Sequence, residues 1–274
     1  VRCFSPVWLW LLFSVVYYGF PFPNTAYAKL NTGIDSAERW YQGFLYGLST
    51  LNADPLSVLC VIAAVGLAWR SGTETRDRVW VSGALLYCVY VVRIGGDFME
   101  GRFHAAPVLM AAVSLARASF NFGAVPVQLA SVGSLLLIGL SARHPPPMSD
   151  SDYRKADKHF TDGRGVTDER AFYFRSTGLV AARRIVDMPG HRWGDDGAKV
   201  AVRSQKPVVR NTIGLFGFRA GPTLHIVDQF ALTDPLLARL PAKRDVAWRS
   251  GHFERINVPT PSSSWPKARD RTCL

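Results

Sequence analysis

Five apolar runs fill the first half of this chain: Val7–Phe20, Leu56–Trp69, Val79–Ile94, Ala105–Ala116 and Val125–Leu140. Between residues 1 and 141 there are nine Lys or Arg and seven Asp or Glu, against 23 and 14 in residues 142–274. That asymmetry makes the chain two materials joined near Ser141 and predicts a partial transmembrane domain over residues 1–141. Each run is shorter than the roughly 20 residues that a perpendicular helix needs to cross the hydrocarbon. Trp69, Trp80, Tyr87 and Tyr90 extend the runs as interfacial anchors. A soluble bundle of very apolar helices is the competing reading.

The connection RSGTETRDR, residues 70–78, carries Arg70, Arg76 and Arg78 between two runs and favours the cytoplasmic side. Alternation then places residues 21–55 and the turn Gly95–His104 outside, residues 117–123 inside, and everything beyond Arg143 outside. In the first outer stretch, AERWYQGFLYGLSTL puts Trp40, Phe44, Leu48 and Leu51 on one helical face. Such a helix lies along a membrane surface or packs into an outer domain. ARHPPPMSDSD reads as a linker over residues 142–152, because consecutive prolines cannot continue a helix. Residues 153–274 are expected to form a small extracytoplasmic α/β domain. A helical patch at Thr167–Leu179 leads to KVAVR, NTIGLFGFRAGP and TLHIVDQF in the order strand, helix or turn, strand.

The net charge of +11 raises nucleic acid as a partner. The bases are interleaved with acids and form no stripe, so a lipid phosphate or anionic lipid is the simpler partner. Cys3, Cys60, Cys88 and Cys273 have neither metal-ligand spacing nor a pairing pattern. No conventional secretory signal is present, and a start at Val directly before an apolar run points to missing upstream sequence.

The densest chemistry lies in VVRIGGDFMEGRFHAAP, residues 91–107. Arg93, Asp97, Glu100, Arg102 and His104 crowd one outer turn, where charges beside hydrocarbon are expensive unless paired or employed. Arg93 or Arg102 suits a phosphate through bidentate bonds, and a carboxylate here suits deprotonating a hydroxyl or orienting an arginine. An Asp97–Arg102 salt bridge that merely caps the hairpin explains the same residues. In YYGFPFPNTAYAK, residues 17–29, Asn24 suits a sugar or phosphate oxygen and Lys29 a phosphate, although a Pro-Asn turn with a snorkelling lysine reads equally well. Asp228 is expected to be structural at the end of a strand, Asp234 to cap a helix before Pro235, and His252 to pack. NTIGLFGFRAG has no nucleotide-binding spacing. No motif assigns a divalent metal.

YYGFPFPNTAYAK, IGGDFMEGRF, TDERAFYFRSTG, TIGLFGFRAGPTLHIVDQFALTDPLLARLP and SGHFERINVP, in that order over roughly residues 15–259, resemble the C-terminal half of bacterial GT-C membrane glycosyltransferases related to the mycobacterial terminal β-(1→2)-arabinofuranosyltransferase. The resemblance implies a multi-pass protein of the plasma membrane. It would take a sugar from a polyprenyl phosphate, decaprenylphosphoryl arabinose in the arabinosyl case, and pass it to a cell-envelope glycan outside. A carboxylate would activate the acceptor hydroxyl while cationic groups stabilise the departing phosphate. On this basis Asp97 is the catalytic candidate, and Asn24, Lys29, Arg93, Arg102 and His104 are candidates for binding the lipid phosphate or sugar. The acidic outer loop expected to supply the base would lie upstream of Val1, and the ending SSSWPKARDRTCL departs from the family. An incomplete, inactive chain is therefore expected. The alternative is a catalytically silent membrane protein whose outer domain binds glycan or a partner.

Overall fold

The computed structural model describes residues 4–30, 32–70, 73–118, 123–142, 145, 161–177, 191–203, 206–243 and 251–255. The chain is mostly helical. All five apolar runs become helices: α1 (Ser5–Tyr18), α4 (Pro55–Ala68), α5 (Thr75–Arg93), α6 (Ala105–Arg117) and α7 (Val125–Leu140). Between them lie α2 (Asn24–Leu30) and α3 (Ser36–Ala53), and beyond them α8 (Glu169–Thr177), α9 (Arg192–Arg203) and α10 (Gly214–Ala220). Of the expected linker, residues 142–152, only Ala142 and Pro145 lie within the described residues.

The chain forms two compact units: Val1–Ile34 with Arg183–Val246 and Gly251–Leu274, and Asp35–Ala182 with Ala247–Ser250. The second is a helical unit. Its α3 begins at Asp35, whose carboxylate accepts from Ala37 N at 2.8 Å. It ends at Asp54, which caps α4 in turn by accepting from Ser57 N at 3.1 Å and Ser57 Oγ at 2.6 Å. Pro55 has no N–H to continue α3, so the chain restarts as α4 at an angle of 108°.

Packing in this unit is inverted. The side chains buried in α4, α5 and α6 are Ala64, Ala68, Val81, Ala84, Val91, Pro107, Ala111 and Ser114, while Ile62, Leu86 and Leu109 are exposed. Helix α3 turns Gln42, Gly43, Tyr46 and Thr50 inward and leaves Trp40, Phe44, Leu48 and Leu51 exposed. Helix α7 buries no side chain at all, and Leu137 on it is 70% exposed. Gly43 allows the closest approach, because a Cβ there would collide with the backbone of Val92 on α5.

Among the described residues no single helix is long and apolar enough to cross a membrane. With 14 and 16 residues, the shorter apolar helices α1 and α7 reach about 21 and 24 Å at 1.5 Å per residue, against about 30 Å of hydrocarbon. The bent pair α3–α4 has the required length and composition together.

In the other unit, β1 (Val208–Arg210) and β2 (Ile226–Asp228) run parallel, Val209 opposite Val227, joined through α10. This is a minimal βαβ crossover. Its core holds Phe216, Ala220 and Leu224, with Trp193, Val200, Val208 and Ile226 packed around them. KVAVR, expected as a strand, is the end of α9 instead. Its short alternation fits either structure, and the 3.6-residue spacing decides, since it sets Trp193 and Val200 on one face against this core. The expected strand in TLHIVDQF is present as β2.

Candidate functional site

The turn after α5 is built by two glycines. Gly96 N donates to Val91 O at 2.9 Å and Gly95 N to Val92 O at 3.1 Å, closing the helix in a left-handed cap, with φ of 89° at Gly95 and 71° at Gly96. A side chain at Gly96 would also meet the ring of Tyr46. Tyr46 is fully buried, and its hydroxyl joins both ends of the turn. It donates to Met99 O at 3.0 Å and accepts from Phe103 N at 3.2 Å.

Asp97 is held inside this turn with no exposed side-chain surface, and one of its oxygens lies 2.5 Å from Arg102 Nη2. A carboxylate removed from water needs such a partner. Arg102 itself is 43% exposed, and its guanidinium carbon lies 5.4 Å from the ring centres of both Phe98 and Phe103. The planar cation is therefore fixed on one side by Asp97 and flanked by rings, while part of its five-donor fork faces outward. Of the two roles open to Asp97, base or orienting partner, full burial and the ion pair fit the second. Arg93 is exposed in the last turn of α5, where a cation suits the helix dipole.

His104 faces inward. Its ring stacks on Tyr46 at 5.1 Å and 22°, and Nδ1 lies 3.0 Å from Thr50 Oγ1. Burial lowers its pKa below the ordinary 6.5, so near neutral pH it is an uncharged imidazole, suited to a hydrogen bond and not to an ion pair with phosphate.

Residues 161–168 close over the same turn. Thr167 N donates to Phe98 O at 2.6 Å, Glu100 N donates to Thr167 O at 3.1 Å, and Gln42 Nε2 donates to Arg164 O at 2.7 Å. This joins two segments, IGGDFMEGRF and TDERAFYFRSTG, that lie almost 70 residues apart. Beside them is a cavity of about 530 Å³ whose polar wall holds Asp54, Glu100, Asp168, Glu169 and Arg170. Reasoning from sequence missed these last three as site residues. Their only signal was that TDER stands at the head of a motif.

Asn24 and Lys29 belong to the other unit. Asn24 Nδ2 donates to Thr233 O at 3.3 Å, and the Lys29 stem lies against Gly251. Arg239 sits over the rings of Phe20 and Tyr27, at 4.5 and 4.3 Å. Buried Arg255 donates to Leu240 O at 3.1 Å and to Ala28 O. Burial pulls its pKa below the usual arginine value, and Asp228 acts against that shift. Asp228 accepts from Phe230 N and Thr233 N, both at 3.0 Å, and Asp234 accepts from Leu236 N and Leu237 N, both at 2.9 Å. Both hold turns. His252 packs edge-on against Phe230 at 5.0 Å. Among the described residues no group of three His, Cys, Asp or Glu is placed to hold a metal ion.

The chain is 26% identical, over 92% of its length, to the terminal β-(1→2)-arabinofuranosyltransferase of Mycobacterium tuberculosis (strain ATCC 25618 / H37Rv). It is distantly related to a glycosyltransferase. The aligned region is 50% of that relative, so the chain spans about half its length. No protein-family profile matches the chain, and no solved structure does.

Proposed function

We propose that the chain acts in glycosyl transfer at the outer face of a bacterial plasma membrane, taking its sugar from a polyprenyl phosphate and serving cell-envelope glycan assembly. The observation that carries this reading is Arg102. Its guanidinium is pinned by a buried carboxylate and flanked by two rings, yet is still half exposed on a helical unit whose α4, α5, α6 and α7 turn Ile62, Leu86, Leu109 and Leu137 outward. A lipid phosphate needs this combination of a preorganised fork for its oxygens and an apolar exterior beside hydrocarbon. Asp97 serves as the orienting partner. Arg93 is a further cation for the same lipid-borne sugar phosphate, and His104 is a neutral hydrogen-bonding group on the same turn, while Asn24 and Lys29, which lie in the other unit, stand separately as a donor and a cation for a sugar phosphate. The distant relationship to an arabinofuranosyltransferase supports arabinofuranose as the sugar.

The membrane reading rests on the inverted packing. Small residues at helix contacts with Leu and Ile outward are what helices adopt when the surrounding solvent is as apolar as the side chains. In water the same exposed surface would be an aggregation hazard.

Titration of the full chain in detergent micelles with citronellyl phosphate, followed by calorimetry, tests the site. Arg102→Ala is expected to abolish saturable binding, and Arg102→Lys to restore part of it as a point charge without the fork. Asp97→Asn should weaken binding while helix content is kept. In a transfer-competent preparation, Arg102→Ala should cut turnover by about a hundredfold or more, the scale of a lost transition-state donor. Unchanged phosphate affinity in both Arg102→Ala and Asp97→Asn would reduce the pair to a hairpin clasp.

A further inference from the structure

The unit that holds the Phe216 core also holds α1, a helix with almost no cover. In α1 only Ser14 is buried, while Val7, Leu9, Trp10, Leu12 and Val15 stand exposed on all sides of it. Trp10, Phe13 and Tyr17, at helical spacing, form a row of rings whose successive centres are 5.6 and 5.3 Å apart. Gly19 ends the helix in a left-handed cap, its N–H donating to Val15 O at 3.0 Å. Ser14 Oγ donates to Phe20 O at 2.9 Å, which turns Phe20 back toward the helix, 6.5 Å from Tyr18. The row continues from Tyr17 through Tyr18 and Phe20 to Tyr27 of α2. It ends at a cation. Ala28, Ala231 and Ala238 are buried together and pack the turn Leu237–Arg239 against α2. This sets the Arg239 guanidinium 4.5 Å from the Phe20 ring centre and 4.3 Å from that of Tyr27. Arg239 is exposed, its Nη1 donates to Pro235 O, and among the described residues no carboxylate forms an ion pair with it.

We infer that this surface docks its unit on an anionic phospholipid bilayer, with α1 in the hydrocarbon, Tyr17 and Tyr18 among the headgroups, and Arg239 on a lipid phosphodiester. The inference rests on the membrane setting of the proposed function, not on its transfer chemistry, and adds the place where this unit meets lipid. A helix that is apolar all round belongs inside a protein core or inside lipid. The exposure of α1 leaves lipid. Its 14 residues reach about 21 Å, against about 15 Å for the hydrocarbon of one leaflet, so with its tyrosine end at the headgroups the rest is submerged. Tyrosine suits that level, because the ring stays in apolar surroundings while the hydroxyl reaches water. Phe22, 6.4 Å from Tyr27, and Leu236, in the turn before Arg239, are exposed as well and widen the apolar rim. A phosphodiester is the charge complement of an exposed guanidinium, whose fork bonds two of its oxygens. The face is open, so it reads headgroup charge and not headgroup shape, which suits bulk phospholipid and not one selected substrate.

The full chain carrying Arg102→Ala, so that the proposed donor site does not contribute, is titrated in detergent micelles with phosphatidylglycerol and with phosphatidylcholine. Native mass spectrometry reads the bound lipid. Phosphatidylglycerol is expected to bind more tightly, and a further Arg239→Ala to weaken it about fivefold, the effect of one cation at an anionic surface. Arg239→Lys should restore part of that loss, and circular dichroism checks the fold of each variant. A second measurement leaves Arg239 intact. In vesicles of phosphatidylglycerol and chain-brominated phosphatidylcholine, the emission that Trp10→Phe removes should be emission that bromine quenches. Phosphatidylglycerol affinity equal with and without Arg239 would overturn the headgroup site, as would its displacement by inorganic phosphate at the same concentration. Trp10 emission untouched by bromine but quenched by aqueous acrylamide would overturn the immersion of α1. Chain dimers lost with Trp10→Ala would overturn it too, by giving the face to a second copy. Failure of the transferase reading registers separately, as citronellyl phosphate binding that is indifferent to Arg102→Ala.

Discussion

In the α/β part of one unit the buried side chains are large, with Phe216 and Leu224 at the centre and Trp193, Val200 and Ile226 around them. In the helical unit the cluster buried between α4, α5 and α6 is Ala64, Ala68, Val81 and Ala111, while Leu86 and Leu109 face out. One region hides its apolar bulk from water, and the other displays it. Apolar burial gains free energy only when the alternative is water. The same alphabet gives opposite arrangements in the two regions, and the proposed membrane setting of the helical unit would account for the difference.

The contrast is tested most strongly at Phe216. Phe216→Ala should cost about 3–5 kcal/mol, the usual penalty for emptying an aromatic site in a water-facing core. Pulse proteolysis of residues 191–243 in detergent solution measures it. In the helical unit Leu137→Ala, a comparable loss of apolar volume at a fully displayed position, should change stability by less than about 0.5 kcal/mol. Equal penalties at the two sites would remove the distinction.

Enlarging a small contact residue is the converse test. Ala111→Leu forces bulk into the seam with Ala64, Ala68 and Val81 and should cost about 1–3 kcal/mol. Thermal unfolding in micelles, followed by circular dichroism, reads the shift. A stabilised Ala111→Leu would mean that the seam is loosely packed and that small residues are not what draws these helices together.

How much of this was legible in the sequence divides along the same line. The runs that became α1, α4, α5, α6 and α7 were visible, and the expected bounds of α7, Val125–Leu140, match the helix, because uninterrupted apolar runs have few alternatives. The stripe of Trp40, Phe44, Leu48 and Leu51 was equally plain, but periodicity gives a stripe without saying which side the solvent takes. The packed face of α3 is Gln42, Gly43, Tyr46 and Thr50, which reads as polar. KVAVR was misread because five alternating residues cannot separate a strand from the last turn of a helix. At the candidate site, the meeting of Asp97 with Arg102 follows from spacing. The docking of Thr167 on Phe98 and Glu100 does not, because it is made by backbone hydrogen bonds that leave no side-chain signature. Glu100 was seen as one of a crowd, and its cavity was not, since Asp168, Glu169 and Arg170 arrive from far along the chain.

Tyr46 is where a smaller effect sharpens the comparison. Tyr46→Phe keeps the ring against Gly96 but deletes the hydroxyl that joins Met99 O to Phe103 N. A net loss of about 1–3 kcal/mol is expected, since a buried donor and acceptor are left without that partner. The loss should appear as faster amide exchange at Phe103, with α9 and α10 unaffected. Exchange that speeds up uniformly would mean that the hydroxyl supports the whole unit and not the turn.

The smallest effect expected is the titration of His104. Burial holds its folded pKa below the ordinary 6.5, so the unfolded chain takes up this proton first as pH falls. By linkage, the stability that comes from keeping the ring neutral is fully present above 6.5 and is lost as pH drops through the folded value. Melting temperature of the helical unit should decline across that window, and His104→Gln, which keeps a hydrogen-bonding group for Thr50 without the titration, should flatten the decline. The residues packed on Phe216, namely Trp193, Val200, Val208 and Ile226, do not ionise in that window. A slope that survives His104→Gln would place the titrating group elsewhere and would free His104 to carry charge beside Arg102.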